Sequence, residues 1–242
     1  MGDNMRKTSL LLILAALLAN PSRGQSVIEA PKTKLETTIV QDFFDLYRMR
    51  GLDFSTGPVS QTNLVMNYGN LAGIVLVNHN FDRGHIDEYD FVGRYTDTLN
   101  VTIAGAKPIV FGQFVYLDMA RQQAGKSKEA AVVATLPVTL NPTLTFAKDF
   151  DKGKGEYFGL TIGQDGVVSI AGVPISVWGT IGYNNKYWNS TATWSHADAM
   201  VKAPIALGNG WTATPNITYS SSLNKEYFSN ATVAGLQISK SF

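Results

Sequence analysis

Glu88-Tyr89-Asp90-Phe91-Val92-Gly93-Arg94-Tyr95-Thr96 decides how this chain is read. The odd positions carry Tyr, Phe, Gly and Tyr, and the even ones Glu, Asp, Val, Arg and Thr. Successive side chains of a strand point to opposite faces, so this alternation predicts a strand with one aromatic and one charged face. Trp211-Thr212-Ala213-Thr214-Pro215-Asn216-Ile217-Thr218-Tyr219 repeats the design. Ala197, Ala199, Val201, Ala203, Ile205 and Leu207 share one face of another strand, with Asp198 and Lys202 on the other.

Composition limits what such strands can build. The chain has 242 residues, 45% hydrophobic and 16% charged, with 20 basic and 19 acidic side chains and no cysteine. One all-β domain accommodates that length. A net charge of +1 supplies no basic patch for nucleic acid. The lack of cysteine excludes disulfides, thiol catalysis, thiolate zinc sites and a lipobox anchor. Arg6 and Lys7 precede the apolar run Leu10-Leu11-Leu12-Ile13-Leu14-Ala15-Ala16-Leu17-Leu18-Ala19, and Ser22 and Gly24 supply small residues for cleavage after Gly24. This predicts a secretory signal peptide over 1–24. A lead-in is expected over 25–36 and the barrel proper over 37–242. Beyond residue 24 no apolar run approaches the ~18 residues of a membrane helix.

A soluble sandwich also has one dry and one wet face. Three features favour a closed antiparallel transmembrane β-barrel, exported and seated in the outer membrane of a Gram-negative bacterium. Tyr68, Tyr89, Tyr95, Tyr183, Trp211 and Tyr219 lie at strand ends, as interface girdles do. Connections alternate short and long, with tight turns expected at 67–70, 96–98, 140–142 and 208–210. The last strand ends on Phe242, with Ile238, Leu236 and Ala234 on one face, resembling the insertion signal that barrel-assembly machinery reads, although Lys240 departs from it. Strands are expected at 37–51, 58–68, 71–79, 86–96, 99–119, 128–139, 143–150, 156–170, 174–184, 195–207, 211–221 and 230–242. Two interruptions stand out: Pro108 inside the fifth strand, and mixed phase in the first, where Gln41 and Asp45 share parity with Phe43, Tyr47 and Met49.

Asp45-Leu46-Tyr47-Arg48-Met49-Arg50-Gly51-Leu52-Asp53-Phe54-Ser55 resembles the first strand of the Gram-negative outer-membrane family labelled Gcw_chp, whose function is unknown. Tyr47, Arg50, Gly51, Leu52 and Ser55 fill its pattern of Tyr, two residues, Arg-Gly, an aliphatic residue and a nearby Ser. The order continues through Gly57-Pro58, Leu71-Ala72-Gly73-Ile74-Val75-Leu76-Val77-Asn78 and Glu88-Tyr89-Asp90 with Gly93, and fades beyond Thr96. The resemblance implies a barrel of about a dozen strands and brings no catalytic residues.

Candidate site residues follow from strand parity. Asp42, Arg48, Arg50, Glu88, Asp90, Arg94, Asp118, Lys148, Asp198 and Lys202 are expected to face the lumen. They either line a narrow channel or binding barrel for a small polar solute, or pair across the lumen and plug it, leaving a structural or surface-interaction barrel. Arg50 and Arg94 are the best solute-facing pair, since an arginine fork binds carboxylate or phosphate bidentately. His79, His85 and His196 fall near the long-loop rim as solvated side chains. A lipid-modifying enzyme built on them is the third and poorest reading, because the chain holds no Gly-x-Ser-x-Gly and no His-Glu-x-x-His. Lys152-Gly153-Lys154-Gly155 lacks the phosphate-loop frame and reads as a turn. No enzyme activity, cofactor or metal is expected; the expected partners are outer-membrane lipid, the insertion machinery and a small polar solute.

Overall fold

The computed structural model describes residues 34–119 and 125–242. The predicted signal peptide and most of the lead-in lie outside the described residues. The strands are β1 (Glu36–Phe44), β2 (Arg48–Met49), β3 (Leu52–Asp53), β4 (Val59–Tyr68) and β5 (Leu71–Asn80). Then come β6 (His85–Thr98), β7 (Ile109–Met119), β8 (Gly125–Thr135), β9 (Thr143–Asp149) and β10 (Glu156–Ile170). β11 (Val173–Asn185), β12 (Ala192–Lys202), β13 (Ile205–Gly208), β14 (Trp211–Ser222) and β15 (Ala231–Ser241) complete the chain. Neighbours pair antiparallel from β4 to β12, β12 pairs with β14, β14 with β15, β15 with β1, and β1 with β4. The sheet is therefore a closed barrel of twelve strands. Closure matters in hydrocarbon, where each unpaired backbone N–H or C=O costs several kcal/mol. β13 prolongs β12 beyond Ala203-Pro204, a break that lies across from Pro215 of β14, since proline cannot donate to a ladder.

Alternation places the side chains as expected over most of the wall. Tyr89, Phe91 and Tyr95 of β6 are exposed on the outer surface, while Glu88 and Asp90 are buried inside. Val201, Ile205, Leu207, Trp211, Ile217 and Tyr219 are likewise exposed. The aromatics sort into two belts. Tyr68, Tyr95 and Trp211 ring the end that holds residue 34 and the C-terminus; Tyr89, Tyr183 and Tyr219, joined by Trp194, ring the other. The first end is the turn rim, with connections 69–70, 171–172 and 209–210; the second is the loop rim.

Some expected boundaries shift. β1 ends at Phe44 rather than 51, and the chain leaves the sheet there, which accounts for the mixed phase beyond that point. β7 begins at Ile109, because Pro108 ends a long turn-rim connection, 99–108, where the tight turn 96–98 was expected; Thr96 and Asp97 are still paired within β6. β8 runs Gly125–Thr135, displaced toward the loop rim from the expected 128–139, so the connection before β9 spans 136–142 instead of turning at 140–142.

Candidate functional site

The segment 45–58 turns into the barrel from the loop rim. Arg48-Met49 pairs with Leu52-Asp53 as a two-residue hairpin whose tip is Arg50-Gly51. Both tip residues have positive φ, 54° and 82°, which is the type I′ geometry that suits a right-twisted hairpin. Ser55 ties the base: its Oγ accepts the Tyr47 N–H at 2.8 Å and donates to the Gly57 carbonyl at 2.7 Å. Arg48 forks onto Asp53 at 2.5 and 2.9 Å and reaches the Ser229 carbonyl at 3.0 Å. The pattern residues Tyr47, Arg50, Gly51 and Ser55 thus belong to one inward hairpin and not to a wall strand.

Arg50 locks this hairpin into the wall. Its guanidinium donates to both Glu129 oxygens, at 2.5 and 3.0 Å, and to the Tyr187 hydroxyl. The same group lies over the rings of Tyr157 and Tyr187, 5.1 and 4.9 Å from their centroids. The Tyr187 hydroxyl also donates to Glu129, at 2.6 Å. Tyr157 in turn stacks on His196, with ring planes 9° apart. Tyr47 donates to Glu88 at 3.4 Å. Burial, with the Glu88 and Asp90 charges added, holds the Tyr47 hydroxyl well above the ordinary phenol range, so it remains a donor. Phe54 packs on Val115, Leu117 and Met119, and Leu52 on Ala131, Ala147, Tyr157 and Tyr187. Glu88 and Tyr187 are 0% exposed and His196 2%: the loop-rim half of the lumen is filled.

Gly51 has no substitute at the tip. A Cβ there would lie 2.8 Å from His196 Nδ1, in a left-handed conformation that already disfavours a side chain. Gly51→Ala is expected to unseat the hairpin, read as trypsin cleavage after Arg48 or Arg50 in the folded barrel. Protection equal to wild type would contradict this packing.

Below the hairpin, toward the turn rim, lies a cavity of about 670 Å³. Asp42, Asp90, Asp198, Lys202, Trp178 and Thr214 are among its lining. Its cations are engaged: Arg48 with Asp53, Arg50 with Glu129, and Lys202 with Asp165 at 3.3 Å while lying 5.4 Å over the Trp178 ring. Asp42 accepts from Gln237 at 2.9 Å, and among the described residues one oxygen each of Asp90 and Asp198 has no hydrogen-bond partner. The lining alone carries three carboxylates and three cations; Asp53, Glu129 and Asp165 neutralise the cations, which leaves the site acidic in balance.

Most predicted lumen residues are inside, but they do not form the expected pair. Arg50 belongs to the hairpin lock, whereas Arg94 donates to Gln113 at 2.9 Å and lies 4.5 Å over Phe111. Asp118 and Lys148 face outward, contrary to expectation, Asp118 paired with Lys126 and Lys148 with Glu156. The reason is an inversion of the alternation near the loop rim. There the inner wall is apolar (Val115, Leu117, Met119) because it packs on the hairpin, and the outer wall is charged. His79 packs edge-on against Phe81, and His85 Nδ1 lies 2.8 Å from the Arg83 carbonyl oxygen. His196 is no solvated rim residue. A register shift beside Gly182 turns both Ser195 and His196 inward, where His196 Nε2 lies 3.4 Å from Asp198 and Nδ1 2.9 Å from Ser195. Ser195 is fully buried and donates to the Gly182 carbonyl, which leaves it no approach for a substrate.

Glu129, Tyr157, Tyr187 and Asp149 were not singled out from the sequence. Glu129 shares parity with Ser127 and Ala131, and an acid on a small-residue face was the available signal.

Together these features define a closed twelve-stranded β-barrel with an inward hairpin above an acidic cavity. No family model and no curated protein matches the chain. Among solved structures it is similar to the KdgM porin, with TM-score 0.51 and 11% identity over 86% of this chain and 99% of the porin. It is equally similar to the KdgM porin in complex with disordered oligogalacturonate, with TM-score 0.50 and 13% identity over the same shares. These likenesses concern the fold.

Proposed function

We propose that this chain is an outer-membrane barrel for a small polar solute, held closed at the loop rim by the segment 45–58. The observation that carries the reading is the Arg50–Glu129–Tyr187 lock above a polar cavity of about 670 Å³. Similarity to porin folds supports a transport role, and the exposed aromatic belts support an outer-membrane seat. The reading involves no enzymatic chemistry. The hairpin role of Tyr47, Arg50, Gly51 and Ser55 would extend to the Gcw_chp family if the chain belongs to it.

The acidic lining bears on the solute. The relative's oligogalacturonate is a polyanion, and Asp42, Asp90 and Asp198 oppose one, so cationic or neutral solutes fit better. In planar bilayers under a KCl gradient, the reversal potential is expected on the cation side, and Asp90→Asn with Asp198→Asn is expected to move it toward zero. An anion-side potential would sink the solute assignment.

A second reading, a structural barrel closed for good, draws on the same buried lock. It predicts no conductance even after the hairpin is displaced.

A further inference from the structure

The outer wall over β8–β11 carries a feature that the lumen does not use. Three rows of outward side chains follow from the register. The first, at the loop rim, runs Ala130, Lys148, Glu156 and on to Lys186. The second runs Val132, Phe146, Phe158, Tyr183 and Trp194, with successive aromatic rings in contact. The third runs Ala134, Leu144, Leu160 and Ile181. Small residues on β8 beside large ones on β9–β12 leave an apolar groove of about 420 Å³ along the lower two rows.

Lysines crowd the top of that groove. Lys128 extends outward from β8 above Ala130, Lys152 and Lys154 project from the loop 150–155, and Lys186 from the loop 186–191; all four are exposed. Among the described residues no carboxylate forms an ion pair with any of these four, whereas Lys126 and Lys148 are paired with Asp118 and Glu156. The opposite loops, 45–58, 81–84 and 223–230, expose Asp45, Asp82 and Glu226 against Arg83 and Lys225, with Asp53 paired to Arg48. Against Asp151, the exposed carboxylate of loop 150–155, these four lysines still leave a net positive charge in this sector, above the groove. Asp149 fixes the loop that presents two of the lysines, its buried carboxylate accepting the N–H groups of Asp151, Gly153 and Lys154.

We infer that this sector binds a phosphorylated, multi-acyl lipid, with an acyl chain in the Val132–Trp194 groove and phosphate held by Lys128, Lys152, Lys154 and Lys186. Charge complementarity picks this occupant: a zwitterionic lipid would fill the groove but leave the lysines unmatched, and an anionic solute would leave the groove empty. The inference rests on the membrane reading, and it goes beyond the lumen.

Native mass spectrometry of the detergent-solubilised full chain tests it, with bisphosphorylated lipid A and its dephosphorylated form as probes. The wild type is expected to retain the phosphorylated form at least tenfold better. Lys128→Gln with Lys152→Gln, Lys154→Gln and Lys186→Gln is expected to erase the preference, and Ala134→Phe, which fills the groove, to weaken both lipids. Equal retention of the two lipids by the wild type overturns the proposal, and so does an undiminished preference in the lysine variant. If that variant does not fold, the wild-type preference alone decides. A chain that stays monodisperse without detergent would instead refute the membrane reading.

Discussion

Glu129→Ala is expected to release the hairpin from the lumen wall. In the wild type the Arg50 guanidinium meets both Glu129 oxygens and the Tyr187 hydroxyl inside a packed interior. Removing one partner of a buried ion pair leaves the other charge uncompensated, at a cost of about 3–5 kcal/mol. The twelve-stranded ladder does not depend on this pair, so the loss falls on docking of the hairpin. It shifts the ratio of open to closed barrels by roughly a hundredfold or more. Trypsin should then cleave after Arg50 in the folded barrel, and bilayer conductance should rise. Arg50→Met combined with Glu129→Leu should restore closure, because an apolar pair of similar volume removes the unpaired charge. If Glu129→Ala leaves Arg50 protected and the conductance unchanged, the lock is not where the structure puts it.

Asp149→Ala is expected to be the most destabilising single change in the wall. The Asp149 carboxylate is buried and accepts from Ser127 Oγ at 2.7 and 2.8 Å, and from the N–H groups of Asp151 and Gly153 at 2.9 Å each. A buried donor that loses its acceptor costs about 1–3 kcal/mol, and several are orphaned together. The expected loss is about 3 kcal/mol or more, measured as a lower urea midpoint of the barrel in detergent. Asp149→Asn keeps one acceptor oxygen and should lose less. A midpoint for the alanine variant equal to wild type would show that the loop holds itself.

The wall was legible because successive side chains of a barrel strand alternate between the outer and inner faces: Tyr89, Phe91 and Tyr95 face out, which places Glu88 and Asp90 inside. Legibility failed where the hairpin fills the lumen. Periodicity assigns faces by assuming that the polar side is the inside. Leu117 and Met119 face inward against Phe54, so Asp118 was read with the wrong sign. Lys148 failed for the same reason, although its shared parity with Leu144 and Phe146 pointed outward. The mixed phase after Phe44 did signal a departure from the sheet. Its destination depends on Glu129, Tyr157 and Tyr187, far along the chain, and no local pattern encodes that meeting. His196 needed the one-residue register shift beside Gly182, which alternation by itself does not reveal.

Single-channel recording from the wild type and from a chain whose residues 46–57 are replaced by two glycines tests the closed lumen most directly. Brief, rare openings of the wild type and a steady, cation-preferring conductance of the shortened chain are the predicted results. A wild-type barrel that conducts as steadily as the shortened one would contradict closure by the hairpin.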